Sequence, residues 1–358
     1  MTALRHLPAL LLFGAAALAP SFVRDNYLLD TLVLVLLWGA LAGAWNVAGG
    51  YAGQVSLGHA AFFGIGTYAA ALGAIHWGAS AWIAMLLGGV VSTGAGLIIG
   101  YLSNRLRGPY FALATIAFSQ VLLIVFSRWR EFTRGGEGIP IPFKPGFENF
   151  AFVGKQPWVY AAVAFALLVY LISVYLESSR PGYQLAGVRE DENAAEALGI
   201  HSRRLKVVAI ALSAFLTSIL GTFWAQYIGF VDPFYVFSID LSVRFALMAI
   251  IGGMATAIGP FVGSLLITSL ESYLRATMGG GQAAQTGIYL IVYGVLLIIV
   301  VRFVPQGLAT EVGRRLRGVR RRLTPARTPP ATGPGGLVDS QQTTAESPTE
   351  ERHVTGAR

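Results

Sequence analysis

Long apolar runs, each about the length of a membrane-spanning helix, constrain this chain more than any other feature. A helix needs about 20 apolar residues to cross a hydrocarbon core of roughly 30 Å. Backbone polar groups in that core must be bonded within helices or closed barrels. The sequence predicts an all-α, polytopic membrane protein with about ten transmembrane helices, in a range of eight to eleven. The predicted spans are 7–23, 28–48, 55–75, 80–102, 110–127, 157–176, 207–228, 236–254, 259–274 and 286–304.

Composition supports this class and excludes some chemistry. The chain is 54% hydrophobic and 12% charged, whereas soluble domains carry about 25% charged residues. Cysteine is absent, which excludes disulfides and thiolate sites. The first run follows Arg5 and His6 as a signal peptide would, but Pro20 directly follows its small-residue triplet. We therefore expect an uncleaved first helix.

Three regions are predicted along the chain. Residues 1–305 form a transmembrane domain. Residues 306–323 form a basic juxtamembrane segment, with six arginines in Arg314–Arg322 that are expected to bind anionic membrane lipids. This segment lacks interleaved aromatic residues, so nucleic-acid binding is not expected. Residues 324–358 are rich in Pro, Gly, Thr and Ser, which predicts a disordered cytoplasmic tail.

One polar segment, Gly187–Ile200, lies between two apolar runs and is called the coupling segment below. Its acidic residues fall in the first turns of a predicted helix, where the helix dipole favours them. Gly187 and Gly199 are expected to bound this helix of about three turns. Between apolar spans, such a helix lies on the membrane surface or against another protein. The alternative is a surface amphipathic loop without a partner.

Polar groups also interrupt the apolar run that begins near residue 55. Gln54, Ser56 and His59 need internal partners or a wet cavity there, so they either bond helices together or line and gate a pathway. A second pattern is the repeated glycine pair, Gly49-Gly50 and Gly252-Gly253. Each pair marks either a helix broken in mid-membrane or a tight turn between spans.

Several motifs, in order along the chain, resemble the branched-chain amino-acid ABC-importer permeases of the LivM type. Gly53–Gly66 is similar to the family pattern G-Q-x-S-L-G-H-A-A-F-F-G-x-G. Leu106–Ala112 resembles its L-R-G-x-Y-x-A, Thr133–Pro140 its T-x-G-G-x-x-G-I, and Ile251–Pro260 its G-G-x-G-x-x-x-G-P, with Ala255 in place of one glycine. Ala194-Ala195-x-x-x-Gly199 resembles the coupling motif of ABC permeases, with Asn193 where that motif begins with Glu. Glu192 and Glu196 flank this position and could supply the acidic contact.

The resemblance implies partners and roles for particular residues. The partners are a second homologous permease, two ABC ATPase subunits, an extracytoplasmic solute-binding protein and membrane lipids, in a bacterial inner membrane with both termini cytoplasmic. The excess of Lys and Arg on that side favours this orientation. No cofactor or metal is implied.

The resemblance also assigns roles to particular residues. The ATPase-coupling residues are Arg189, Glu190, Asp191, Glu192, Ala194, Ala195, Glu196 and Gly199. The pathway or gating candidates are Gln54, Ser56, His59, Gly252 and Gly253, and the binding-protein contacts are Gly135, Gly136, Glu137 and Gly138.

Enzyme and stand-alone transporter hypotheses are less favoured. The sequence lacks a phosphate-binding loop and its histidines lack metal-ligand spacing, so ATP hydrolysis is expected in partner subunits. A secondary transporter needs ionisable groups in mid-span, where this chain has few. Two pairs, Asp240 with Arg244 and Glu271 with Arg275, are spaced to neutralise each other along one helix. The expected solutes are leucine, isoleucine and valine, with urea or short-chain amides as the alternative.

Overall fold

A computed structural model describes residues 7–103, 106, 108–278 and 294–295, and these residues are mainly α-helical. Two short strands, β1 (Ile139–Pro140) and β2 (Phe230–Val231), pair antiparallel. A π-helical turn, Val47–Tyr51, follows α2. The helices are α1 Leu7–Phe22, α2 Asn26–Asn46, α3 His59–His76, α4 Ala81–Ser103, α5 Pro109–Arg128, α6 Arg130–Thr133, α7 Gln156–Ser178, α8 Arg180–Glu190, α9 Glu192–Ala197, α10 Ser202–Ile228, α11 Pro233–Val236, α12 Ile239–Gly252 and α13 Gly259–Met278.

The all-α membrane architecture is confirmed, whereas the count of ten spans stays a prediction. The predicted span 286–304 lies outside the described residues, apart from 294–295, as do the basic segment and the tail. Within the described chain, six stretches have the length and hydropathy of a membrane span: Asn26–Tyr51, Ala81–Leu102, Pro109–Arg128, Gln156–Ser178, Ser202–Ile228 and Pro233–Gly252.

Local backbone chemistry moves several helix ends from their predicted positions. α3 begins at His59 rather than near residue 55, because Gly53 has φ +68° and the chain stays irregular up to Gly58. α10 begins at Ser202, five residues before the predicted start of that span. The predicted span 236–254 contains a new helix start, since the Ser238 hydroxyl accepts the backbone N–H of Leu241 at 3.3 Å and caps α12.

The core is built around α2 and α10, which are mostly buried. α10 packs against α3 and α4, and α2 packs against α7, α12 and α13. Small residues allow this close approach, as in other membrane helix pairs. A Cβ added to Gly66 of α3 would lie 2.0 Å from the carbonyl oxygen of Ser218 in α10. A Cβ added to Gly221 of α10 would lie 2.5 Å from the carbonyl oxygen of Phe63 in α3, so neither position has room for a side chain.

The long helix α7 separates two ends of the bundle. Its 23 residues span about 34 Å at 1.5 Å per residue, enough to cross a bilayer core. The coupling segment follows the last turn of α7, and this side is called the coupling end. The Thr133–Pro140 loop precedes α7 and lies at the opposite end, where Ile139 pairs with Val231 just after α10.

Candidate coupling and translocation site

The coupling segment forms two short helices rather than the single three-turn helix that its glycines predict. α8 ends at Glu190, and Asp191 has an extended backbone with φ −151° and ψ 108°. The Asp191 carboxylate accepts hydrogen bonds from the backbone N–H groups of Asn193 (2.9 Å) and Ala194 (3.0 Å). This N-cap interrupts the helix and starts α9. Gly187 therefore lies inside α8.

Two acidic residues of α9 are bonded to α10. Glu192 Oε1 lies 2.7 Å from Lys206 Nζ, with side chains that are 23% and 18% exposed. The Ser202 hydroxyl donates a hydrogen bond to the Glu196 carboxylate. These two carboxylates were the candidates for an acidic ATPase contact, but they fix α9 against the start of α10.

The outer side of α9 is small and apolar. Ala194, Ala197 and Leu198 are exposed, and the Leu198 side chain is 82% exposed. Ala195 is buried, so only part of the alanine motif is open to another molecule. Gly199 closes α9 with φ +81°, a conformation that glycine adopts without strain. A short helix with this surface can enter the groove of a partner protein.

Arg189 connects the coupling segment to the π-helical turn. Its Nη1 donates a hydrogen bond to the Gly50 carbonyl oxygen at 3.1 Å, and its Nη2 lies 2.9 Å from the Glu190 carboxylate. A Cβ added to Gly53 would lie 2.8 Å from Arg189 Cγ. The arginine is thus packed between the coupling segment and the first motif.

His59 links α3 to α10 directly and to α2 through Ser213. Nε2 lies 2.7 Å from the Ser213 hydroxyl of α10, and Nδ1 lies 3.1 Å from the Ser56 hydroxyl. Ser213 donates its single hydroxyl hydrogen to the Ala44 carbonyl oxygen of α2 at 2.6 Å. Because that hydrogen is used, Nε2 donates the ring hydrogen to Ser213, and Nδ1 forms the second hydrogen bond with Ser56. His59 is fully buried in this arrangement.

The rest of this motif is also held by neighbouring helices. The Ser242 hydroxyl of α12 accepts the backbone N–H of Ala60 at 2.8 Å, and the Thr115 hydroxyl of α5 accepts that of Leu57 at 3.1 Å. Gln54 and Ser56 are buried. In this conformation Ser56 and His59 bond helices together, and Gln54 borders the cavity described below.

The two glycine pairs lie near each other at the coupling end. Asn46 accepts the backbone N–H of Ala255 at 2.9 Å and donates to the Thr256 carbonyl oxygen at 3.1 Å. A Cβ on Gly50 would lie 2.8 Å from the Ala255 nitrogen. Glu177, at the end of α7, accepts the backbone N–H of Ala257 at 2.6 Å. Both glycine pairs thus lie at helix ends, and Asn46 links the segments that contain them.

A cavity of about 440 Å³ opens between three of the sequence motifs. Its walls come from Gly53–Val55, from the segment around Leu106 and Pro109 at the start of α5, and from the Glu192–Lys206 pair. We call this space the inner cavity. Its volume lies within the range of small-molecule pockets, which is about 300–1,000 Å³. It places the coupling segment directly beside a space large enough for a solute.

The Thr133–Pro140 loop divides into buried and exposed glycines. Gly135 and Gly138 are buried and have φ values of +63° and +75°, so they shape the loop. Gly136 and Glu137 are exposed. Of the four binding-protein candidates, only these last two present an open surface in this structure.

The ionisable residues of α12 and α13 pair differently from the prediction. Glu271 bonds Arg275 at 2.9 Å, as expected, but Arg244 pairs with Glu271 at 2.5 Å and not with Asp240. The Arg244 guanidinium also lies 4.5 Å from the Trp38 ring centroid. The Arg244 and Glu271 side chains are 22% and 15% exposed. This pair links α12 to α13 and to the middle of α2.

Sequence reasoning missed three residues that organise this site: Asn46, Ser213 and Glu177. Asn46 is the only amide in the run 28–48, and a lone amide in an apolar helix is a usable signal because it needs an internal partner. Ser213 and Glu177 gave no such signal, since their partners are backbone and side-chain groups distant in sequence.

The fold and the site define a polytopic helical membrane protein with a short polar segment, Gly187–Ile200, beside a cavity of about 440 Å³. The chain belongs to the family described as branched-chain amino acid transport system / permease component, whose family model matches residues 27–301. It is a transmembrane permease of the ABC transporter class, in a family of amino-acid transport proteins that work with other subunits. This family is one of transport permeases rather than catalytic subunits.

Individual relatives agree with this family. The chain is 27% identical over 315 residues to the high-affinity branched-chain amino acid transport system permease protein LivM of Escherichia coli strain K12, covering 82% of this chain and 72% of LivM. It is 24% identical over 163 residues to LivH of the same strain, and the match covers 45% of this chain and 50% of LivH. It is 26% identical over 219 residues to the autoinducer 2 import system permease protein LsrC of an Enterobacter species, strain 638. This match covers 59% of this chain and 61% of LsrC. These relatives and the apolar helices place the chain among multi-pass inner-membrane proteins.

Proposed function

We propose that this chain is one of two permease subunits of an ABC importer for leucine, isoleucine and valine. In this proposal the coupling end faces the cytoplasm, and two separate ATPase subunits dock there. Nucleotide binding closes the ATPases and switches the permease between outward and inward access. Transport is then driven by chemistry that occurs in other chains.

The geometry of the coupling segment is the observation that carries this proposal. Its outer side offers exposed Leu198 and small alanines to a partner. Its inner side is bonded to α10 through Glu192 and Lys206, and to the π-helical turn through Arg189. A movement of α9 caused by a partner bound at Leu198 would therefore reach α10 through the Glu192–Lys206 pair and the π-helical turn through Arg189.

Relatives support the choice of partners and solute. The chain is similar to both LivM and LivH of one organism, which favours a second, related permease as its partner. LivM and LivH are named for branched-chain amino acids, whereas LsrC is named for autoinducer 2, so solutes differ between relatives. Gly136 and Glu137, at the end opposite the coupling segment, are the proposed contacts for a solute-binding protein.

Reconstitution tests this function. The chain and the transport subunits encoded by neighbouring genes are placed in proteoliposomes, and uptake of radiolabelled leucine is measured with and without ATP and binding protein. Uptake that requires both, and that isoleucine and valine inhibit, is the expected result. Inhibition by urea or short-chain amides instead would reassign the solute. Uptake by the chain alone, driven by an ion gradient, would identify a stand-alone secondary transporter.

A further inference from the structure

The inner cavity combines one charged wall with apolar walls. Glu192 and Lys206 place a carboxylate and an ammonium group 2.7 Å apart at the lining. The surrounding lining includes the side chains of Val55, Leu106 and Phe111. Small-molecule sites have this composition, in which a few polar groups set orientation and apolar groups supply contact area.

An aliphatic amino acid carries a matching arrangement of groups. Its ammonium and carboxylate are attached to one carbon, and its side chain is apolar. Lys206 can pair with the solute carboxylate while Glu192 pairs with the solute ammonium, because charge-assisted hydrogen bonds favour both contacts. The branched side chain then lies against Val55 and Phe111.

We infer that the inner cavity is a binding site for zwitterionic aliphatic amino acids at the cytoplasmic side of the pathway. This inference rests on the proposed function, and it adds a position and a recognition chemistry. Glu192 starts α9 and Lys206 lies in the first turns of α10. A solute at this site therefore contacts the groups that fix the coupling segment, so solute binding and the position of that segment are linked.

This chain contains no cysteine, so a single cysteine introduced into it can be labelled at a chosen position. The assembled importer carries Val55→Cys in this subunit, in nanodiscs of phosphatidylglycerol so that no zwitterionic lipid headgroup competes. The rate of modification by a small charged maleimide is measured with increasing leucine. At a leucine concentration ten times Kd, one-site occupancy slows labelling about tenfold. Ala112→Cys is a second reporter on the cavity wall, and Gln184→Cys on exposed α8 is the control that leucine leaves unchanged.

Two comparisons decide which chemistry is recognised. 4-Methylpentanoate, which lacks the amino group, and isopentylamine, which lacks the carboxylate, should not protect Val55→Cys. In the double variant Glu192→Gln/Lys206→Met, leucine protection should be lost. This variant removes both charges of the pair together, so neither Glu192 nor Lys206 leaves the other as an uncompensated charge.

The inference is overturned if leucine protects neither reporter, or if protection persists undiminished in the double variant. Leucine uptake by the importer without an introduced cysteine is measured in parallel. Uptake without protection rejects the cavity site and leaves the proposed function standing. An assembled importer without leucine uptake rejects the proposed function itself.

Discussion

The guanidinium of Arg189 donates a 3.1 Å hydrogen bond to the carbonyl oxygen of Gly50, although the two residues are 139 positions apart. This contact joins the coupling segment to the π-helical turn that ends the longest apolar stretch near the N-terminus. A surface segment is thereby attached to the helix that forms much of the core. The contact provides a physical route from a partner protein to the membrane domain.

Removing this contact should weaken coupling. A hydrogen bond from a charged donor contributes about 1.5–3 kcal/mol, so we expect Arg189→Ala to lower leucine uptake roughly tenfold while ATPase subunits still bind. Arg203→Ala is the matched control, because Arg203 is an exposed arginine on the same side. Uptake per ATP hydrolysed is the measurement. Wild-type uptake by Arg189→Ala would exclude this route.

His59 and Ser213 should behave as one unit. His59→Phe and Ser213→Ala each remove one side of a 2.7 Å buried hydrogen bond, and leaving a buried polar group unpaired costs about 1–3 kcal/mol. Thermal unfolding of the purified single variants and of the double variant forms a double-mutant cycle. We expect an interaction energy of about 0.5–3 kcal/mol. Strictly additive effects would mean that the two side chains are not bonded in the membrane.

Charge exchange tests the pair between α12 and α13. Arg244→Glu or Glu271→Arg alone places like charges together in a largely enclosed site, and breaking a buried pair costs about 3–5 kcal/mol. The double exchange restores opposite charges between α12 and α13 and should recover part of the folded protein, as measured by size-exclusion yield, because the arginine introduced at position 271 lies beside the exposed Arg275. Arg275→Ala is the control, since the loss of an exposed ion pair costs about 0–1 kcal/mol. The absence of recovery in the double variant would show that geometry rather than charge pairing dominates.

Two glycines of the Thr133–Pro140 loop should differ in their tolerance of alanine. Gly138 has φ +75°, and a Cβ there would lie 2.9 Å from the Val231 carbonyl oxygen. Gly138→Ala should therefore lower thermal stability, whereas Gly136→Ala, at an exposed glycine without a positive φ, should change it little. Equal melting temperatures would contradict the loop geometry.

Glu137→Lys should keep wild-type stability and weaken binding-protein-dependent uptake.

Much of the fold was predictable because long apolar runs leave the backbone few options other than helices. The sequence does not reveal the split of the coupling segment, because its acidic residues suit the first turns of a single helix, whereas Asp191 acts as the N-cap of a second one. The pairing of Arg244 was also missed, because a sequence shows partners four residues away but not one on the next helix. The motifs indicate the candidate residues, and tertiary contacts determine which of them are exposed.

Docking of the ATPase subunits at the coupling segment is the central claim, and one substitution tests it most directly. Leu198→Lys places a charge on the exposed apolar surface of α9, and a lysine near a helix C-terminus is compatible with the helix dipole. Val153→Lys is the control, because Val153 is 73% exposed and precedes α7 at the opposite end. Co-purification of the ATPase subunits with each variant is measured. The account predicts that Leu198→Lys loses the ATPase subunits while Val153→Lys retains them. Wild-type co-purification by Leu198→Lys would contradict it.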